Sequence, residues 1–253
     1  MAPIGKAAAS LGKADIHIHS AAGDGVTSPA GILEYVENHT DLDVIAITDH
    51  DEIAGSLEAR ELAARNGYRF QVIPGLEVTT REGHLLALFV EQRIPMLRSL
   101  EATIEAVHAL GGLCIVPHPM SWLTLSVGRR RLVQLCDKSS GFCLDGIETF
   151  NPTIAGRVAW QAASALNREV LQLAETGGSD AHQAKQVGTA RTLFPGRTSA
   201  DFREALIART TVSDGTFWSA RDHLHGAAQQ QWRSMVVHPY RKIARAVGRE
   251  SSP

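Results

Sequence analysis

Polar and apolar positions alternate along this chain in short runs of two different periods. Ala14-Asp15-Ile16-His17-Ile18-His19 alternates strictly, which predicts a strand with Ile16 and Ile18 on one face and Asp15, His17 and His19 on the other. Ser20 to Thr27 reads as a loop whose Gly23-Asp24-Gly25 is flexible enough to bring a carboxylate close to the strand end. Ser28-Pro29 supplies an N-cap and a proline at the first helical position, and predicts a helix to about Asn38. Val44-Ile45-Ala46-Ile47-Thr48 is an apolar run of the kind found in a strand covered on both faces, and it ends in Asp49-His50-Asp51.

The same alternation continues downstream. A helix from about Ser56 to Asn66, stopped by Gly67, leads to a strand at Phe70 to Ile73, after which Pro74-Gly75-Leu76-Glu77 presents a carboxylate. His84 opens an apolar run from Leu85 to Val90, and a helix from Leu100 to Leu110 closes with Gly111-Gly112. A strand at Leu113 to Val116 delivers Pro117-His118-Pro119, and Arg129-Arg130-Arg131 begins another helical stretch. Gly146 to Asn151 reads as a strand and Gly156 to Thr176 as one long helix, followed by Gly177-Gly178-Ser179-Asp180-Ala181-His182. Strands alternating with helices imply an α/β fold with a mainly parallel sheet, and about seven such units suggest a closed or nearly closed barrel. In such a barrel the C-terminal strand ends share one face, where chemistry is normally built.

Composition narrows this picture. With 253 residues, 44% of them hydrophobic and 21% charged, the chain suits one large α/β domain or two small ones. A formal net charge of −2 argues against nonspecific binding of nucleic acid or anionic membrane, though not against a small phosphorylated substrate. Cys114, Cys136 and Cys143 show neither a C-x-x-C pair nor the even count of a disulfide framework, so a reducing compartment is expected. No run of eighteen apolar residues is present, and Met1 to Lys13, read as a loosely attached leader, lacks a continuous apolar core. A cytoplasmic protein without a membrane span is the resulting expectation.

His17, His19, Asp24, His50, Glu77, His118, Asp180 and His182 should gather on the shared barrel face, with His84 close by. Six of the 11 histidines fall in these few motifs. That many donors in an apolar barrel mouth are costly to desolvate unless they hold cations. Neutral imidazoles mixed with a few carboxylates suit Zn²⁺, Mn²⁺ or Fe²⁺, whereas Mg²⁺ and Ca²⁺ prefer oxygen alone. Divalent ions held mostly by neutral imidazoles, with few carboxylates, leave a cationic mouth that attracts an anion. A phosphoryl group spanning such ions is neutralised there, and a bridging water, its pKa lowered to roughly 7 in zinc sites, supplies hydroxide for attack. No side-chain nucleophile is required, and Ser179 reads as a cap or turn residue.

The ordered motifs Asp-Ile-His-Ile-His, Thr-Asp-His-Asp, Pro-Gly-Leu-Glu, Pro-His-Pro and Gly-Ser-Asp-Ala-His resemble those of the PHP (polymerase and histidinol phosphatase) family of metal-dependent phosphoesterases, over residues 13 to 215. The resemblance implies a distorted seven-stranded (β/α)7 barrel with up to three metal ions. Carried over by motif, His17, His19, Glu77 and Asp180 hold one metal, and Glu77 bridges to a second held by His84 and His118. Asp24, His50 and His182 hold the third. It further implies hydrolysis of a phosphate monoester or diester on a small molecule, a nucleotide foremost.

Other residues bear on the site less directly. Asp49 and Asp51, flanking His50, are expected to orient its imidazole or shape the turn. Among Arg129, Arg130, Arg131 and Lys185, one basic group is a candidate for touching the substrate; Arg81 and Arg157 are weaker candidates. The segment 216–253 reads as a basic helical tail that packs on its own domain, with Trp232, Val236, Tyr240, Ile243 and Val247 at helical spacing and Pro239 interrupting them. His223, His225 and His238 are expected at the surface. A nuclease that trims nucleic-acid ends is the alternative reading, disfavoured by near-neutral charge and few loop aromatics. Amidohydrolases also begin with a His-x-His strand, but many bridge their metals with a strand-end lysine, and Lys6, Lys13, Lys138, Lys185 and Lys242 all lie elsewhere. A non-catalytic, metal-stabilised binding module would be expected to lack some of the donors, and none is missing.

Overall fold

The computed structural model describes residues 11–137, 139 and 141–219. The first strand, β1 (Gly12–Ile18), begins two residues inside the expected leader and is followed by α1 (Pro29–His39), β2 (Val44–Ile47) and α2 (Ala54–Asn66). Then come β3 (Gln71–Thr79), β4 (His84–Leu88), α3 (Leu100–Ala109), β5 (Leu113–Val116), α4 (Arg129–Leu135) and β6 (Gly146–Phe150). Two short helices, α5 (Ile154–Arg157) and α6 (Trp160–Leu166), precede β7 (Ala174–Gly177), β8 (Ala190–Phe194), α7 (Ser199–Ala208) and β9 (Val212–Gly215).

One nine-stranded sheet runs in the order β7-β6-β5-β4-β3-β2-β1-β8-β9. The six strands read from the sequence form the consecutive part β1 to β6, β7 brings that run to seven, and β8 and β9 extend the sheet past β1. The expectation of a mainly parallel sheet needs correction. The β1/β2, β2/β3, β5/β6 and β6/β7 pairs are parallel, but β3/β4, β4/β5, β1/β8 and β8/β9 are antiparallel. The short turn at Glu82-Gly83 causes the first reversal, because a parallel return needs a crossover of a dozen or more residues. The sheet's two ends are joined by side-chain hydrogen bonds. Thr192 Oγ1 accepts from Gly177 N at 3.0 Å and donates to Gly177 O, and Thr149 Oγ1 donates to Ser213 Oγ at 2.8 Å.

Three apolar clusters support this sheet. Leu85 and Ala87 of β4 pack with Leu100, Ile104 and Val107 of α3, while Leu86 and Leu88 pack with Ile16, Val44, Phe194 and Phe202. Both faces of β4 are therefore covered. Ile18 belongs to a third cluster with Ile32 and Leu33 of α1, so Ile16 and Ile18 part company despite their spacing. The pairing register between β1 and β2 shifts between Asp15 and Ile18, and that irregularity re-aims the strand end.

Helix ends follow their caps: Ser28 Oγ accepts from Gly31 N, Ser99 from Ala102 N, and left-handed Gly67 stops α2. The long helix expected over 156–176 is instead broken, and its last residues form β7. Asn167 does this by donating from Nδ2 to Leu173 O and accepting Leu173 N, with Gln172 in the left-handed region at φ 53°. Those bonds, with pairing of β7 onto β6, override the helical propensity of Leu173-Ala174-Glu175. Of the expected tail only residues 216–219 are described; there Trp218 Nε1 donates to Thr189 Oγ1 at 2.8 Å. The rest of the tail, with His223, His225 and His238, lies outside the described residues.

Candidate metal centre

Every candidate donor reaches one end of the barrel, hereafter its mouth. His17 sits near the end of β1, with His19 just after it, and His50 follows β2 and bridges to Glu77. Glu77 lies inside β3, not beyond it as expected, because β3 continues through Pro74-Gly75. β4 runs antiparallel, so its first residue, His84, pairs with Thr79 at the same end. His118 follows β5, and Asp180 and His182 follow β7, where Ala181 bridges to Ile18. His118 and Asp180 hold left-handed backbone, φ 30° and 52°, a strain that the surrounding bonds must maintain.

Glu77 is the hub. Its Oε2 lies 3.3 Å from His17 Nε2, His19 Nε2 and His50 Nδ1, and its Oε1 lies 2.9 Å from His84 Nδ1 and 3.2 Å from His118 Nε2. Asp180 Oδ1 lies 3.3 Å from His19 Nε2 and 3.6 Å from His17 Nε2. The donor atoms form four close groups: His17, His19 and Glu77; His17, His118 and Asp180; His19, Asp24 and His182; and His50, Glu77 and His84. Distances thus set His50 beside His84, whereas the motif-based partition pairs it with Asp24 and His182.

Three imidazoles are held from behind. His17 Nδ1 donates to Glu148 Oε1 at 3.0 Å, His118 Nδ1 meets Ser126 Oγ at 3.0 Å, and His182 Nδ1 donates to the Asp180 carbonyl at 3.0 Å. Each therefore turns Nε2 inward, toward Glu77 or Asp24. This is the arrangement that fixes tautomer and ring orientation in metal-binding histidines. By contrast both ring nitrogens of His19 and Nδ1 of His50 and His84 are buried without a hydrogen bond. Buried polar atoms of that kind are costly, and a cation between the lone pairs removes the cost. The donor set, imidazole plus carboxylate without sulfur, fits divalent ions of the zinc and manganese class.

Electrostatics point the same way. Burial raises the carboxyl groups of Glu77, Asp24 and Asp180, yet the surrounding imidazoles outweigh it and hold all three below their ordinary range. Burial lowers His182, but Asp24 and Asp180 lift it to about 9, while His50 is pressed down to about 4 chiefly by its burial. His17 is raised well above its usual value because Asp180, Glu148 and Glu77 outweigh its burial. Anionic carboxylates thus face protons that a divalent ion replaces at Nε2.

Glu148, in the middle of β6, is the residue that sequence reasoning missed. Its side chain is buried, its Oε2 accepts His118 N at 2.7 Å and Asn151 Nδ2 at 2.8 Å, and it anchors His17. A charged residue inside the apolar run Gly146-Ile147-Glu148-Thr149-Phe150 was the available signal. Asp15 is a second such residue: it accepts Ser179 N and Gly188 N, and burial raises its carboxyl to about 6.

Flanking candidates behave differently. Asp49 accepts Ser20 N and Oγ, both at 2.6 Å, and Asp51 accepts Thr79 N and Oγ1, so both shape turns beneath the donors. Burial raises Asp49 to about 7. Arg131 pairs with Glu101 and Arg81 Nε donates to Leu97 O, while Arg129 and Arg130 are exposed at the start of α4. Arg157 lies over the Phe217 ring. Lys185 lines a groove of about 380 Å³ with Tyr35, His39, Asp41 and Arg191, and none of the nine donors lines it. Ser179 is buried, its Oγ donating to His17 O.

Comparison with known proteins agrees with this architecture. A family model described as PHP-associated matches residues 160–211. An uncharacterized protein of Methanocaldococcus jannaschii is 37% identical over 150 residues, 55% of this chain and 81% of that protein. The phosphoribosyl 1,2-cyclic phosphate 1,2-diphosphodiesterase of Eggerthella lenta is 37% identical over 102 residues, 38% of each chain. Among solved structures, a two-domain protein of Bacteroides vulgatus containing a predicted PHP-like metal-dependent phosphoesterase superposes with a TM-score of 0.65 at 22% identity, covering 82% of this chain and 66% of that one. With its relatives, its fold and its motifs in agreement, the chain belongs to the PHP family.

Proposed function

We propose that this protein is a metal-dependent phosphoesterase that hydrolyses a phosphate monoester or diester of a small molecule, a nucleotide foremost. The observation that carries the reading is the set of buried, unbonded imidazole nitrogens converging on Glu77 and Asp180. Two to three divalent ions of zinc, manganese or iron fit those donors. Bound there, such ions would supply charge neutralisation for a phosphoryl group and water activation near neutral pH.

The chain's own residues prepare that site. His17, His19 and Glu77 are almost wholly buried with Asp180 beside them, His50 and His84 group with Glu77, and Asp24 and His182 group with His19. Glu148 fixes the His17 ring, and Ser126 fixes His118. Asn151 Nδ2 reaches Asp180 Oδ2 at 3.4 Å. The name of the Eggerthella relative supports a phosphorylated sugar as substrate class. Among the described residues no helix is long and apolar enough to cross a membrane.

The test is phosphate release from a panel of nucleoside monophosphates, bisphosphates, cyclic phosphates and short oligonucleotides after loading with Mn²⁺ or Zn²⁺. Chelator-sensitive turnover that both His19→Ala and Asp180→Ala abolish is expected. Turnover that persists in both variants refutes the reading, and a preference for oligonucleotides moves it to nucleic-acid ends.

A further inference from the structure

Cys114, Cys136 and Cys143 lie near one another at the end of the barrel where β5 starts, opposite the Glu77 centre. Cys114 lies at the start of β5, fully buried, whereas His118 follows the other end of that strand. Asp145 immediately precedes β6, and His108 stands in the last turn of α3. Asp145 Oδ2 accepts Cys114 N at 2.8 Å and lies 2.9 Å from His108 Nε2. The ligating atoms of His108, Cys114 and Asp145 all lie within 4.8 Å of one another.

We propose that His108, Cys114 and Asp145 form a second metal site, separate from the mouth, that takes one thiophilic divalent cation of the zinc class. The donor chemistry selects that class, because a thiolate and an imidazole favour zinc-like ions over Mg²⁺ or Ca²⁺. Charge balances as well. Binding displaces the Cys114 thiol proton to solvent, and one thiolate plus one carboxylate neutralise the two positive charges where an uncompensated ion is costly. The His108 and Asp145 side chains, about a third and a sixth exposed, leave an entry path from solvent. Water would complete the coordination of such an ion, the exposed Cys143 not being among the close ligand atoms. The ion fastens the end of α3 to the starts of β5 and β6, so it stabilises the barrel without touching the reacting end.

Sulfur makes this site separable by spectroscopy, since the mouth offers only nitrogen and oxygen. Apo full-length protein titrated with Co²⁺ should develop a near-ultraviolet thiolate-to-cobalt charge-transfer band. The band should survive in Asp180→Ala, which disables the mouth, and vanish in Cys114→Ser, which keeps its phosphate release. If Cys114→Ser does not fold, His108→Ala replaces a half-buried ligand and should shift the cobalt midpoint at least about tenfold. Absence of the band in folded wild-type protein, its persistence in Cys114→Ser, or an unchanged midpoint in His108→Ala overturns the proposal.

Discussion

The two ends of this barrel use the same residue types to opposite effect. At the mouth, His17, His19, Asp24, Glu77 and Glu148 are buried, several ring nitrogens lack hydrogen bonds, and His118 and Asp180 carry strained backbone. At the floor beneath β1, Arg197 Nη1 pairs with Asp43 at 2.8 Å, Asp43 accepts Lys13 N, and Ser199 N donates to Gln71 Oε1. Arg197 is more than half exposed, so its ion pair with Asp43 is weak in high dielectric. The charges of the mouth are out of water, where each must be matched or neutralised.

That contrast can be broken in three ways. The largest stability change should come from the floor's apolar layer: Phe194 and Phe202 are fully buried, with ring centroids 5.1 Å apart. Phe194→Ala should cost about 3–5 kcal/mol in chemical denaturation while leaving metal content per folded molecule unchanged. Lost metal in the folded variant would show that the two ends are not independent.

Glu148→Gln sharpens the mouth. The amide keeps the shape but loses the charge that anchors His17, so affinity for the mouth metals should fall about 10- to 100-fold, read by competition with a chelator. An unchanged affinity would reduce Glu148 to a packing role. The smallest effect belongs to the floor's surface: Arg197→Ala removes an ion pair whose arginine is largely exposed and should change stability by no more than about 1 kcal/mol, with turnover intact. A larger loss would mean that this pair is shielded from solvent.

Local patterns carried much of the fold. Ser28-Pro29, Ser99 and Gly67 marked helix ends because capping bonds lie within a few residues. β1 was legible from its strict alternation, and β2, β4 and β5 from short apolar runs, for a similar reason. The strand at Ala174–Gly177 was not, since its residues favour helix and only the Asn167 bonds and pairing with β6 decide otherwise. β8 and β9 were missed too: they join an edge that exists only once β1 is in place.

The candidate centre divides along the same line. The sequence by itself determined the donor types, their placement at strand ends and the class of ion they suit, because ligand chemistry belongs to the side chain. Tertiary structure alone decided that His50 lies beside His84, that β4 runs backwards to deliver His84, and that Glu148, 131 positions from His17, holds its ring. Contacts across such separations depend on sheet closure and on which charges lose water together. Neither leaves a periodic trace in the sequence.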